Sequence, residues 1–153
     1  MSLSLSQQLS DAIKAAMRAK DTARLGTLRF LQAAVKQKEV DERRELTDAD
    51  ITAIIEKQVK QRRESIAAFE KAGRTETAAQ EQAELDVLQE FLPKQATPEE
   101  INAAIDNAMD AVAAQGVTGA PAMGKVMAIL KTELAGRADM SAVSGQVKQR
   151  LMS

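Results

Sequence analysis

The chain has 153 residues, a net charge of −1 and 44% hydrophobic residues, of which only three are aromatic. It contains no Cys and no His, which excludes disulfides, thiol nucleophiles, Ser-His-Asp triads and zinc sites of the usual ligand types. The near-neutral charge argues against general nucleic-acid binding, and the abundance of Ala, Leu, Glu, Lys, Gln and Arg predicts an all-α fold.

The N-terminal part of the chain carries the start signals of several helices. Ser4 or Ser6 is expected to cap the first helix, and Asp21 the second. Thr47 and Asp50 have the spacing of a capping box, which predicts the start of a third, long helix. Residues three or four apart form one stripe along that helix: Ile51, Ile55, Val59, Arg62, Ile66 and Phe69.

A turn at Gly73 separates the third helix from a fourth, so the two are expected to form a long αα-hairpin. Counting outward from the turn places Arg62 near Glu81 and Glu84, although its stripe position calls for an apolar residue. One interpretation is a structural ion pair of Arg62 and Arg63 with the two glutamates. The other is an arginine pair that the carboxylates hold rigid to contact phosphates.

A domain boundary is predicted where the fourth helix ends. Pro93 ends that helix, and Thr97 with Pro98 has the pattern of a helix N-cap and first turn. We therefore expect a four-helix domain over residues 1–95 and a small domain over residues 96–153. Gly116 and Gly136 are expected to end helices, and they divide the second domain into three short helices.

Charge is distributed unevenly along the chain. Residues 11–38 carry seven Lys or Arg against two acidic residues, whereas residues 75–110 carry nine acidic residues against one Lys. The pattern fits either solvated helix faces or docking surfaces. The aromatic residues Phe30, Phe69 and Phe91 lie near apolar stripes, so no platform for base stacking is expected.

No small-molecule site, cofactor, metal or catalytic residue is predicted. Residues 119–125 match the start of a P-loop, but Val126 replaces the hydroxyl that would bind Mg²⁺ and no strand precedes the motif. No apolar run approaches the roughly 20 residues that span a bilayer, so no membrane partner is expected. The first residues lack the features of a secretory signal, and a cytoplasmic location is expected.

Several strings, in chain order, match a known family: Thr27-Leu28-Arg29, Gln61-Arg62-Arg63-Glu64-Ser65-Ile66, Glu81-Gln82-Ala83-Glu84, Phe91-Leu92-Pro93-Lys94-Gln95, Met123-Gly124-Lys125-Val126-Met127 and Gly136-Arg137-Ala138-Asp139. Through them the chain resembles the YqeY family over essentially its whole length. Its second part also resembles the C-terminal tail of the B subunit of glutamyl/aspartyl-tRNA amidotransferase. The family often has Gly after Arg-Ala-Asp, where this chain has Met140.

The resemblance implies a non-catalytic, tRNA-related binding module. In the amidotransferase, a carbon–nitrogen ligase that uses glutamine, the tail recognises tRNA while other parts perform the chemistry. The expected partner is tRNA or an aminoacyl-tRNA enzyme, without readout of DNA sequence. The candidate RNA contacts are basic residues: Arg62, Arg63, Lys125, Lys131, Arg137 and Lys148. The alternatives are a protein–protein module that docks through its acidic residues 75–110, and an independent enzyme.

Overall fold

The computed structural model describes residues 3–152, and all the regular structure in this range is helical. The prediction of an all-α fold is confirmed, with four helices before the predicted boundary and three after it. None of the helices described is long and apolar enough to cross a membrane. In chain order they are α1 (Leu5–Ala19), α2 (Thr22–Glu42), α3 (Asp48–Lys71), α4 (Thr75–Gln89), α5 (Pro98–Ala114), α6 (Ala120–Glu133) and α7 (Met140–Met152).

Side-chain caps define the helix starts that the sequence predicts. The Ser4 hydroxyl accepts the Gln7 N–H at 3.1 Å, and the Asp21 carboxylate accepts the Arg24 N–H at 3.1 Å. At the start of α3 the capping box is complete, with a distance of 3.2 Å from the Asp50 amide to the Thr47 hydroxyl and 2.9 Å for the reciprocal bond. Such caps satisfy backbone donors that a helix cannot pair internally.

The α3–α4 hairpin turns at Gly73, which has a φ of +76°. The Arg74 amide donates to the Phe69 carbonyl at 2.8 Å, and the Gly73 amide donates to the Glu70 carbonyl at 3.0 Å. These two bonds form a Schellman motif, which closes the end of α3. A left-handed φ strains any residue with a Cβ, so glycine is favoured at this turn.

The chain divides between Pro93 and Lys94 into two compact units, each with its own hydrophobic core. Large aliphatic residues dominate the first core: Leu9, Ile13, Leu28, Leu31, Val35, Ile51, Ile55, Val59, Ile66, Leu85 and Leu88. The second core uses smaller residues more often: Ile105, Ala108, Val112, Ala122, Val126, Leu130, Leu134, Val143 and Val147. The boundary drawn from the sequence, between residues 95 and 96, falls just after the structural division.

Candidate functional site

Arg62 lies between α3 and α4 with a side chain that is 15% exposed. Its Nη1 is 3.1 Å from Glu81 Oε2 and also donates to a carboxylate oxygen of Glu84. The guanidinium lies over the ring of Phe30 in α2, with 5.9 Å from its central carbon to the ring centroid. These contacts, which we call the α3–α4 seam, give Arg62 a structural role in the first unit.

Two buried polar atoms of α3 have no hydrogen-bond partner within residues 3–152. They are Oε1 of Gln58, an acceptor, and Nε of Arg62, a donor, one helical turn apart on α3. An unpaired buried polar group costs about 1–3 kcal/mol. The buried Nε of Arg62 therefore offsets part of the attraction between Arg62 and the glutamates.

Arg63 does not share the environment of Arg62. Its side chain is partly exposed, and it makes no ion pair with any residue that the structure describes. The two arginines that are adjacent in sequence therefore separate into one paired and one unpaired cation. Of the two, only Arg63 has its full charge available to a ligand.

Arg137 joins the loop after α6 to the segment before α5. Its Nε donates to the Lys94 carbonyl at 2.9 Å, and its Nη2 pairs with Glu100 Oε2 at 2.5 Å. The hydrogen bond from Arg137 holds the pKa of the Glu100 carboxyl below its usual value. Two further hydrogen bonds join the same segments: the Ala96 N–H donates to the Arg137 carbonyl and Gln95 Nε2 donates to the Gly136 carbonyl, both at 2.8 Å. We call these four contacts together the Arg137 bracket.

The lysine candidates of the second unit are exposed. Lys131 on α6 and Lys148 on α7 form no ion pair with a described residue, whereas Lys125 Nζ donates to Gln115 Oε1 at 3.4 Å. Lys131 lines an open groove of about 440 Å³, and Lys148 lines a second groove of about 460 Å³. The side chains of α6 and α7 that line these grooves form the α6–α7 face: Ala120, Met123, Met127, Lys131, Met140, Ser141, Ser144, Lys148, Leu151 and Met152.

Most acidic residues of the 75–110 stretch are paired with arginines of their own unit. The pairs are Glu81 and Glu84 with Arg62, Glu90 with Arg24, Glu100 with Arg137, and Asp106 with Arg150. The acidic middle and the basic ends thus neutralise each other in part within the fold. This pairing leaves less free negative charge for a docking surface than the sequence indicates.

The interpretation of Phe30 as a residue near an apolar stripe is wrong, because its side chain is 61% exposed. The buried residues of α2 include Leu28, Leu31 and Val35, and a step of about 100° per residue puts Phe30 outside that stripe. Phe69 and Phe91, by contrast, pack against the first core. The helical period of α2 was therefore the signal that could have identified an exposed aromatic ring.

Together these features define an all-helical protein of two small cores, with paired arginines in both units and unpaired lysines on one face of the second. No group of three or more side chains suited to a metal ion occurs within residues 3–152. The chain belongs to the YqeY family: residues 6–151 match the family described as Yqey-like protein.

Two curated relatives are fungal proteins, both named "Altered inheritance of mitochondria protein 41, mitochondrial". The protein of Pyrenophora tritici-repentis is 31% identical over 93% of this chain and 78% of its own length. The protein of Eremothecium gossypii is 40% identical over 55% of this chain and 46% of its own length. The prediction of a cytoplasmic location is contradicted by these relatives, whose names place them in mitochondria.

Proposed function

We propose that this chain is a non-catalytic binding module for tRNA, with the α6–α7 face as its contact surface. The observation that supports the proposal is the separation of charges in the second unit. Arg137 and Arg150 are paired with acidic residues of α5, whereas Lys131 and Lys148 on the α6–α7 face have no acidic partner among the described residues. The resemblance of this part to the tail of the amidotransferase B subunit supports the same assignment.

Lysines on such a face suit the recognition of a phosphate backbone. A lysine ammonium is a flexible point charge that neutralises phosphates without reading bases, so the contacts would follow the shape of the RNA. Binding of this kind weakens steeply as salt rises, because each neutralised phosphate releases counterions. Turnover of an aminoacyl-tRNA by the purified chain would contradict the non-catalytic part of the proposal.

The direct test reverses both lysine charges in a Lys131→Glu/Lys148→Glu double variant and measures binding to bulk tRNA over a range of salt concentrations. The slope of log affinity against log salt is expected to fall by about 2, close to one for each lysine that no longer neutralises a phosphate. The control is Lys57→Glu/Lys71→Glu, which changes the net charge equally at two exposed lysines of α3. Equal slopes for the two double variants would remove the α6–α7 face from the proposal.

Arg137 is a poor position for this test. Its replacement by Glu would break the Arg137 bracket and place a second carboxylate beside Glu100. A loss of RNA binding in that variant would therefore report on folding as well as on contact with RNA. Lys125 is a better third position, because its only polar contact with a described side chain is the 3.4 Å bond to Gln115.

A protein partner is the second candidate, and the methionines of the α6–α7 face favour it. Met123 lines one groove beside Leu151 and Met152, and Met127 lines the other groove beside Met140. Methionine is flexible and polarizable, and it is common on surfaces that accept varied partners. Such a partner would remain bound after RNase treatment, would be lost from a Met123→Gln/Met127→Gln variant, and would tolerate the control lysine variant.

A further inference from the structure

Phe30 is an exposed aromatic residue whose ring has a guanidinium on one side. Its side chain is 61% exposed, although Phe is among the residue types most often buried. The Arg62 guanidinium lies over the ring, 5.9 Å from the centroid, and Glu81 and Glu84 hold that guanidinium in place. One side of the ring therefore faces a guanidinium that ion pairs hold in place, while much of the ring surface remains open to solvent.

The exposed residues of α2 nearest Phe30 are either small or positively charged. Gly26 lies one turn before Phe30, and apart from its chain neighbours and its own helix backbone no atom lies within 4 Å of where its Cβ would stand; Ala33 is exposed on the following turn. Arg29 and Lys36 are exposed and form no ion pair with a described residue. From Thr22 to Lys38 the helix contains no acidic residue. A planar group could thus approach the ring, and a negatively charged chain could follow the helix beside it.

We propose that Phe30 is a stacking site for an unpaired base of RNA, with Arg29 and Lys36 contacting the phosphates on either side of that base. This inference rests on the proposed function, because it requires an RNA ligand. Aromatic rings and arginine planes bind splayed bases of single-stranded loops, whereas the bases of a duplex are already stacked. Arg62 pairs with both nearby carboxylates, Glu81 and Glu84, whereas Arg29 and Lys36 have no acidic partner among the described residues, so the phosphates are assigned to Arg29 and Lys36.

The test is fluorescence anisotropy with an unstructured oligouridylate and a blunt RNA duplex of matched length. Phe30→Ala is expected to weaken oligouridylate binding by about tenfold or more, since stacking on one aromatic ring contributes that much. Phe30→Tyr keeps a ring and is expected to retain the affinity. The matched control is Val40→Ala, which truncates another exposed apolar residue of α2, 71% exposed, and should leave binding unchanged.

The arms of this experiment separate the stacking site from the tRNA proposal. Unchanged affinity of Phe30→Ala for oligouridylate would overturn the stacking site, and is also the result expected if Phe30 instead contacts a protein. An equal loss for oligouridylate and duplex would overturn it as well. If tRNA binding depends on Lys131 and Lys148 but not on Phe30, only the stacking site is overturned. If the wild-type chain binds no RNA, both proposals are overturned. Thermal melting of each variant confirms that the compared proteins are folded.

Discussion

The two units place their charged residues differently relative to their cores. In the first unit Arg62 and its glutamates lie within the packing between α3 and α4, and Arg62 is only 15% exposed. In the second unit Arg137 and Arg150 lie at the surface and connect to α5, outside a core of Val, Ala, Leu and Ile. The same pairing of arginine and carboxylate can thus lie within a helix interface or at the surface beside a core, and in the second unit it leaves Lys131 and Lys148 without an acidic partner among the described residues.

The largest difference expected between the units concerns their cores. Leu88→Ala, at a position with no exposure in the first core, is expected to lower the free energy of unfolding by about 2–5 kcal/mol. Val147→Ala, equally buried in the second core, removes less apolar volume and should cost about 2 kcal/mol. Urea denaturation followed by circular dichroism measures both. Equal losses would show that the smaller residues of the second core are packed as tightly as the larger ones of the first.

Removal of the carboxylates from the α3–α4 seam should have the next largest effect. A Glu81→Gln/Glu84→Gln variant leaves Arg62 without a charged partner in a partly buried place. We expect the free energy of unfolding to fall by about 2 kcal/mol, a value between the effect of breaking an exposed ion pair and that of breaking a buried one. Glu64→Gln, at an exposed position of α3, is the control and should be close to neutral in the same urea titration.

Replacement of the arginine itself should have little effect on stability. Arg62→Met removes a desolvated charge and an unpartnered Nε from the seam, and apolar packing often equals a buried ion pair. The free energy of unfolding is expected to stay within about 1 kcal/mol of the wild type or to rise. A loss of 2 kcal/mol or more would mean that the ion pairs stabilise the hairpin strongly. A loss of oligouridylate binding at unchanged stability would instead support the role of Arg62 beneath Phe30.

The smallest effect expected is a pH dependence of folding stability, which both units share. Hydrogen bonds from Arg44 and then Thr47 hold the pKa of Asp50 well below its usual value, and Arg137 lowers the pKa of Glu100. A lowered pKa stabilises the folded state above the unfolded pKa of about 4, and this stabilisation is lost as pH falls through the folded value. Carbon-13 NMR titration should show a rise of each pKa in Arg44→Gln and Arg137→Gln, with the larger rise at Asp50.

The helices could be predicted because their signals are local. Ser4, Asp21, Thr47 and Thr97 each lie within a few residues of the amide that they cap. The contact of Arg62 with the glutamates could also be derived, since the turn at Gly73 sets the register of the hairpin. In both cases a short stretch of chain contains all the information that the contact needs.

Two features of the candidate sites could not be derived in this way. Arg137 is 43 residues from Lys94 and 37 from Glu100, so its bracket depends on how α5 and α6 pack. Its basic character alone made it as strong a candidate for RNA contact as Lys131. The exposure of Phe30 could be inferred from the α2 stripe, but its contact with Arg62 joins helices whose relative position no local pattern determines.

The Arg137 bracket also affects how the chain can be divided for experiments. A fragment that starts at residue 96 lacks Lys94 and Gln95, and with them the acceptor for Arg137 Nε and the amide that donates to the Gly136 carbonyl. A fragment that starts at Lys94 keeps every bond of the bracket. Trypsin cleaves after lysine, and in the folded chain the carbonyl of Lys94 is already held by Arg137. Cleavage at this bond therefore reports opening of the bracket, which makes limited proteolysis a simple assay for the integrity of the second unit.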